Sequence, residues 1–141
     1  VRLAGTGPSL AQVRKAAFGK ADAQVVGWLD RVDPAAMFLS VIVVMELELG
    51  RLGIERRDPA QASRLRHWLE GRVLPAFDGR ILPVDLAVAR RCARLHAPNP
   101  LSDRNAFMAA TALVHGMTVV TRNVADFSAT GVLFVNPWIA V

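Results

Sequence analysis

The stretch Asn105-Ala-Phe-Met-Ala-Ala-Thr-Ala-Leu-Val-His-Gly-Met-Thr-Val-Val-Thr-Arg-Asn123 decides the fold. It reads as a buried helix rich in alanine, a glycine stop at Gly116, and a short β-branched strand. Polar residues then cluster at the strand's carboxyl end: Thr121, Arg122, Asn123 and, just beyond, Asp126. Asp103 and Asn105 open the helix. In open α/β sheets, ligands and catalytic groups collect at the carboxyl ends of strands, so this unit suggests a site as well as a scaffold.

Working outward, the same alternation recurs. Met37–Ser40 reads as a short buried strand, and Ser40 can cap a helix running through Met45, Leu49 and Leu52 to Gly53. Asp58-Pro59 opens another helix, with Leu65, Trp68, Leu69, Val73 and Leu74 on its apolar face. The residues Arg64, His67 and Arg72 should look outward from it. Arg80–Val84 reads as a strand, Asp85 caps a helix bearing Leu86, Ala89, Ala93 and Leu95, and Gly131–Val135 reads as a last strand. Nearer the start, Val25, Trp28, Leu29 and Val32 form a helical stripe that Pro34 ends. Val1–Ser9, broken by Gly and Pro, makes a poor strand. Strands alternating with helices predict a central parallel sheet with helices on both faces, an α/β fold in one domain spanning residues 1–141.

The chain has 141 residues, 52% hydrophobic and 21% charged, which excludes a disordered polymer and allows a real core. No apolar run approaches the roughly 20 residues that cross a bilayer, so no membrane partner is expected. With no targeting segment visible and a single Cys92, the composition fits a reducing cytoplasm. The net charge is +5, and nearly all the basic residues are arginine, which pairs well with phosphate. A polyanionic partner, nucleic acid or an acidic protein tail, is favoured.

Glu46 lies among Val43, Val44, Met45 and Leu47, company in which a carboxylate is costly unless something satisfies it. Glu48, about 200° round the helix, is better placed to pair with Arg51 or Arg56. Asp103 and Asn105 are good capping residues, but Asn123 and Asp126 should reach the same sheet edge. An oxygen-only donor set of Glu46, Asp103, Asn105, Asn123 and Asp126 suits Mg²⁺ or Mn²⁺ better than zinc. His67, His96 and His115 are dispersed, so no acyl-transfer triad is indicated, and Gly5-Thr-Gly7-Pro8 lacks the spacing of a phosphate loop.

At these residues the chain resembles the VapC-type toxins of the PIN-domain ribonuclease family. The resemblance is carried by Phe38-Leu-Ser40, Glu46-Leu47 with Gly50, Leu74-Pro75, Gly79-Arg-Ile-Leu-Pro83, Ala109-Ala-Thr-Ala112, Thr121-Arg-Asn123 with Asp126-Phe127, and Asn136-Pro-Trp138. It implies a three-layer α/β/α sandwich that cuts RNA with Mg²⁺, inhibited by a cognate antitoxin and commonly dimeric. By that resemblance Glu46 and Asn105 are candidate catalytic residues, and Asp103, two residues from Asn105, joins them as a candidate replacement ligand. Trp28, Leu29 and Trp138 are candidates for the dimer surface.

The resemblance also breaks. Thr6 stands where the family carries the aspartate that ends its first strand, so residues 1–10 are atypical. Asn105 stands where the family carries another aspartate, and Asn123 where it carries either Asp or Asn. Only Glu46 keeps its carboxylate. Two functional expectations follow: a Mg²⁺-dependent endoribonuclease toxin of altered activity, with Asp103 as a replacement ligand, or a catalytically lapsed PIN domain that still binds RNA or an antitoxin.

Overall fold

The computed structural model describes residues 2–4, 34–97, 102–121 and 124–136. Five parallel strands make one sheet. They are β1 (Arg2–Ala4), β2 (Met37–Ser40), β3 (Ile81–Leu82), β4 (Thr118–Val120) and β5 (Phe134–Val135), in the order β3-β2-β1-β4-β5. After β2 come helix α1 (Val41–Ile54), helix α2 (Pro59–Trp68), a π turn (Leu69–Val73) and the short helix α3 (Leu74–Ala76). Helices α4 (Leu86–His96) and α5 (Asp103–His115) join β3 to β4, and α6 (Val124–Phe127) follows β4.

Parallel neighbours need crossover connections, and these are right-handed almost without exception. The path β1→β2→β3 runs one way across the sheet, whereas β3→β4→β5 runs the other. Right-handed crossovers in opposite directions put α1–α3 on one face and α4–α6 on the opposite one. That is the α/β/α sandwich expected from the sequence. The reversal falls between β1 and β4, whose registers pair Leu3 with Val119 and Ala4 with Val120. A crevice at the carboxyl ends of these two strands is therefore the natural ligand position.

The local signals act as the sequence reads. Ser40 is fully buried, and its Oγ accepts from the Ile42 N–H at 3.1 Å, starting α1. Asp58 caps α2 through Gln61 N–H at 3.1 Å, and Asp85 caps α4 through Val88 N–H at 3.0 Å. Gly116, at φ +66°, ends α5 in the left-handed region, where Met117 N–H reaches back to the Ala112 carbonyl at 2.8 Å. Arg64, His67 and Arg72 are exposed as expected.

The core is built on Leu39, Val43, Leu69, Met108, Val119 and Phe127, all essentially inaccessible. Helix α5 is buried on two sides. Met108, Ala109 and Ala112 join the sheet-side cluster, while Ala106 and Ala110 pack with Val88 and Cys92 of α4. Alanines on the α4 side let the two helices approach closely, which explains why this segment carries so little bulk.

Three boundaries differ from the sequence reading. Arg2–Ala4, read as a poor strand, is the middle strand of the sheet, paired to β2 and β4. Two-sided pairing overrides weak local propensity. The third strand was expected over Arg80–Val84 but is Ile81–Leu82, because Pro83 has no N–H to continue the ladder. The last strand was expected from Gly131, but that residue, at φ +79°, closes a 3₁₀ turn (Ser128–Thr130) instead. Trp28, Leu29, Trp138, Thr6 and Asn123 lie outside the described residues. Among the described residues, no helix is long and apolar enough to cross a membrane.

Candidate active site

The sheet topology brings the ends of β1, β2 and β4 side by side, and the candidate residues leave from or lie beside those ends. Ala4 closes β1 shortly before Thr6; Ser40 closes β2 and launches the helix that carries Glu46. Val120 closes β4, and the buried Thr121 follows, its N–H donating to the Val135 carbonyl at 3.0 Å. Asn123 lies two positions further along the chain, and Asp126 follows in α6.

Glu46 is half-buried on α1, and that partial burial pushes its carboxyl pKa above the ordinary carboxylate value. The Arg104 guanidinium, from the first turn of α5, pulls the other way but does not cancel the desolvation. Charge on α5 is thus felt by a carboxylate on α1, across the crevice end of the sheet. Asn105, half-buried, sits next to Arg104 on the same turn. Glu48 is engaged elsewhere, its Oε2 accepting from Arg51 Nε at 2.7 Å, as the helix spacing suggested.

Asp103 takes a different partner from the one expected of a replacement ligand. Its side chain is 85% exposed, and Oδ1 lies 3.4 Å from His96 Nε2 at the end of α4. Its charge, after burial, adds to the raised pKa of the Cys92 thiol, also on α4. An acid at the start of α5 facing a histidine at the end of α4 suits both helix dipoles. Two consecutive residues of one helix thus act on different neighbours, Asp103 on α4 and Arg104 on Glu46. Asp126 is exposed on α6 and has no ion pair among the described residues.

The donor set fits a hard divalent cation by type but is short of charge. Among the described residues, no three His, Cys, Asp or Glu side chains cluster closely enough to hold a metal ion. Among the described candidates Glu46 is a half-buried carboxylate and Asn105 a half-buried neutral amide. Mg²⁺ is commonly held by one or two carboxylates plus substrate phosphates, so such a site can work without a protein cage, at the cost of affinity. Sequence reasoning singled out Glu46 and Asn105 but not Arg104, whose charge acts on Glu46. The available signal was a cation on the first turn of a helix whose neighbour had lost its aspartate.

Known proteins share this fold. The pattern of the PIN domain matches residues 16–133. The chain is 38% identical over 124 residues to the VapC ribonuclease Y4jK of Sinorhizobium fredii, covering 83% of this chain and 86% of that protein. It is 37% identical over 121 residues to the toxin FitB of Neisseria gonorrhoeae, covering 82% and 85%. The crystal structure of FitAcB from Neisseria gonorrhoeae superposes with a TM-score of 0.87 at 31% identity, covering 98% of this chain and 99% of that one. The fold is shared as well by DNA-bound VapBC from Salmonella typhimurium, at a TM-score of 0.75 and 18% identity over 96% and 97% of the two chains. With its sheet order, a family pattern spanning most of its length and relatives at 38% and 37% identity, the chain belongs to the PIN domain family.

Proposed function

We propose that this chain is the toxin of a toxin–antitoxin pair, a hydrolase that cuts RNA endonucleolytically with the help of a weakly held Mg²⁺ or Mn²⁺. The observation that carries this reading is Glu46, a carboxylate kept half-buried at the crevice although burial costs it its easy ionisation. The relatives named as a VapC ribonuclease and a FitB toxin support it. Glu46 and Asn105 would hold the ion, with Asn123 and Asp126 reached by the chain beyond β4. A bound divalent ion supplies a more acidic water and charge stabilisation on the phosphate. Arg104, beside Glu46, is suited to neutralise a phosphate oxygen of the RNA once Glu46 is otherwise engaged. Asp103, held by His96, would steady the first turn of α5 without touching substrate.

An antitoxin partner is part of the same reading, since related solved structures are described as FitAB and VapBC complexes. Met45, Leu49 and Leu52 leave an exposed apolar stripe along α1, a surface suited to assembly with an antitoxin or a second copy. Such a pair would act in the cytoplasm, where its RNA is.

The test is cleavage of structured RNA in Mg²⁺ by the full chain and by Glu46→Gln, with and without EDTA. The expected result is cleavage by the wild type alone, abolished by EDTA. Equal, EDTA-insensitive cleavage by both, or none by either, removes the catalytic claim. The second reading, a lapsed nuclease that still binds RNA or antitoxin, is favoured by Arg104 beside Glu46 and by neutral Thr6 and Asn105. Absence of Mg²⁺ binding at millimolar metal by calorimetry would select it.

A further inference from the structure

We propose that the groove between α4 and the end of α5 is an exosite that grips the sugar–phosphate backbone of single-stranded RNA away from the crevice. This inference rests on RNA being the ligand of the chain, but not on its being cut. The groove has a volume of about 280 Å³ and is lined by Ala87, Arg90, Arg91, Arg94 and Val114. Helix α4 buries Val88 and Cys92 against α5, and the arginines stand on the flank beside that seam, where Val114 of α5 completes the lining. Arg90 and Arg94 are exposed, four residues apart on one face, and Arg91 is half-buried beside them.

Charge chooses the occupant. None of the three arginines has an ion pair among the described residues, and α4 holds no acid between Leu86 and His96. The acid at its start, Asp85, is engaged in capping through Val88 N–H. Three uncompensated guanidinium forks in one groove match successive phosphates, each able to accept a paired hydrogen bond. A protein partner would need an aliphatic or aromatic anchor buried in a pocket, and here the apolar lining is only Ala87 and Val114. The groove opens beside α5, whose other end carries Arg104 and Asn105. RNA lying along α4 therefore runs toward the crevice.

The experiment is fluorescence anisotropy of a labelled single-stranded RNA of mixed sequence, with the full chain, in EDTA and over a salt series. The Arg90→Ala/Arg91→Ala/Arg94→Ala variant should bind at least about tenfold more weakly at low salt. Its slope of log affinity against log salt should flatten by about 2, three phosphates at roughly 0.7 each. The corresponding triple lysine variant should keep the slope, which separates lost charge from lost folding. Arg64→Ala, at an exposed arginine of α2 on the opposite face of the sheet, should bind as the wild type does. Wild-type binding that ignores the alanine changes, an unaltered slope, or no binding of RNA at all overturns the exosite. So does a polyglutamate peptide that needs the three arginines when RNA does not, since the groove would then serve an acidic protein. A chain that binds through these arginines but never cleaves would sink the nuclease reading and leave the exosite standing.

Discussion

Arg104 offsets, without cancelling, the cost of half-burying Glu46, and the two residues come from helices on opposite faces of the sheet. One half-buried carboxylate and one cation thus meet at the candidate site, and the balance between them sets how readily Glu46 ionises.

The first expectation concerns Glu46 itself. A carboxyl whose pKa is raised by folding adds stability that is fully present below its ordinary value of 4.5 and is lost as pH rises through the raised value. At neutral pH the ionised Glu46 is therefore a net burden. Glu46→Gln should raise the melting temperature at pH 7, with the gain shrinking toward zero as pH falls below about 4.5. Cleavage should drop at least about 100-fold, the scale for removing one charge-stabilising group from a site. Melting curves and RNA cleavage measured on the same preparations check both halves.

Arg104→Ala should move the Glu46 pKa further up, since the attraction that lowers it is gone. The same change removes a cation from beside the metal position, so Mg²⁺ should bind several-fold more tightly at neutral pH. Carboxyl carbon NMR titration reads the first effect and calorimetry the second. RNA affinity should fall in parallel if Arg104 meets a phosphate, which sets metal and substrate in opposition at one residue.

Much of this was legible in the chain. The caps at Ser40, Asp58 and Asp85, the glycine stop at Gly116 and the buried alanine helix all follow from local chemistry acting within a few residues. Arg2–Ala4 was not legible, because a three-residue strand is defined by the neighbours on either side and not by its own composition. The site was half legible for a related reason. Spacing led us to expect Glu46 and Asn105 at one edge, but the direction of each side chain on the first turn of α5 depends on how α4 and α1 pack around it. That packing turned Asp103 toward His96 and gave Glu46 the charge of Arg104.

Asp103→Asn separates the expected ligand role from the observed pairing. If Asp103 stood in for the missing aspartate, its loss would abolish metal-dependent cleavage. Paired with His96 and 85% exposed, it should instead cost less than about 1 kcal/mol of stability, the ceiling for exposed ion pairs. Cleavage should change less than about threefold, within the spread of a surface substitution. The Cys92 thiol should titrate lower, because the nearby negative charge that helps to raise it is removed. Thiol titration of Asp103→Asn, alongside RNA cleavage, distinguishes the two roles.

Ser40→Ala tests how the sheet holds the site. Ser40 is fully buried at the end of β2, and its hydroxyl takes the Ile42 N–H that α1 cannot satisfy itself. Removing it leaves that donor unpaired and should cost about 1–2 kcal/mol by chemical denaturation. Because α1 carries Glu46 little more than one turn further on, loosening its start should also blur the Glu46–Arg104 relationship. The Glu46 pKa should shift back toward its ordinary value as the helix end frays and water enters. A variant that loses the stability but keeps the raised pKa would show that α1 is held by its packing on β2 and α2, not by its cap.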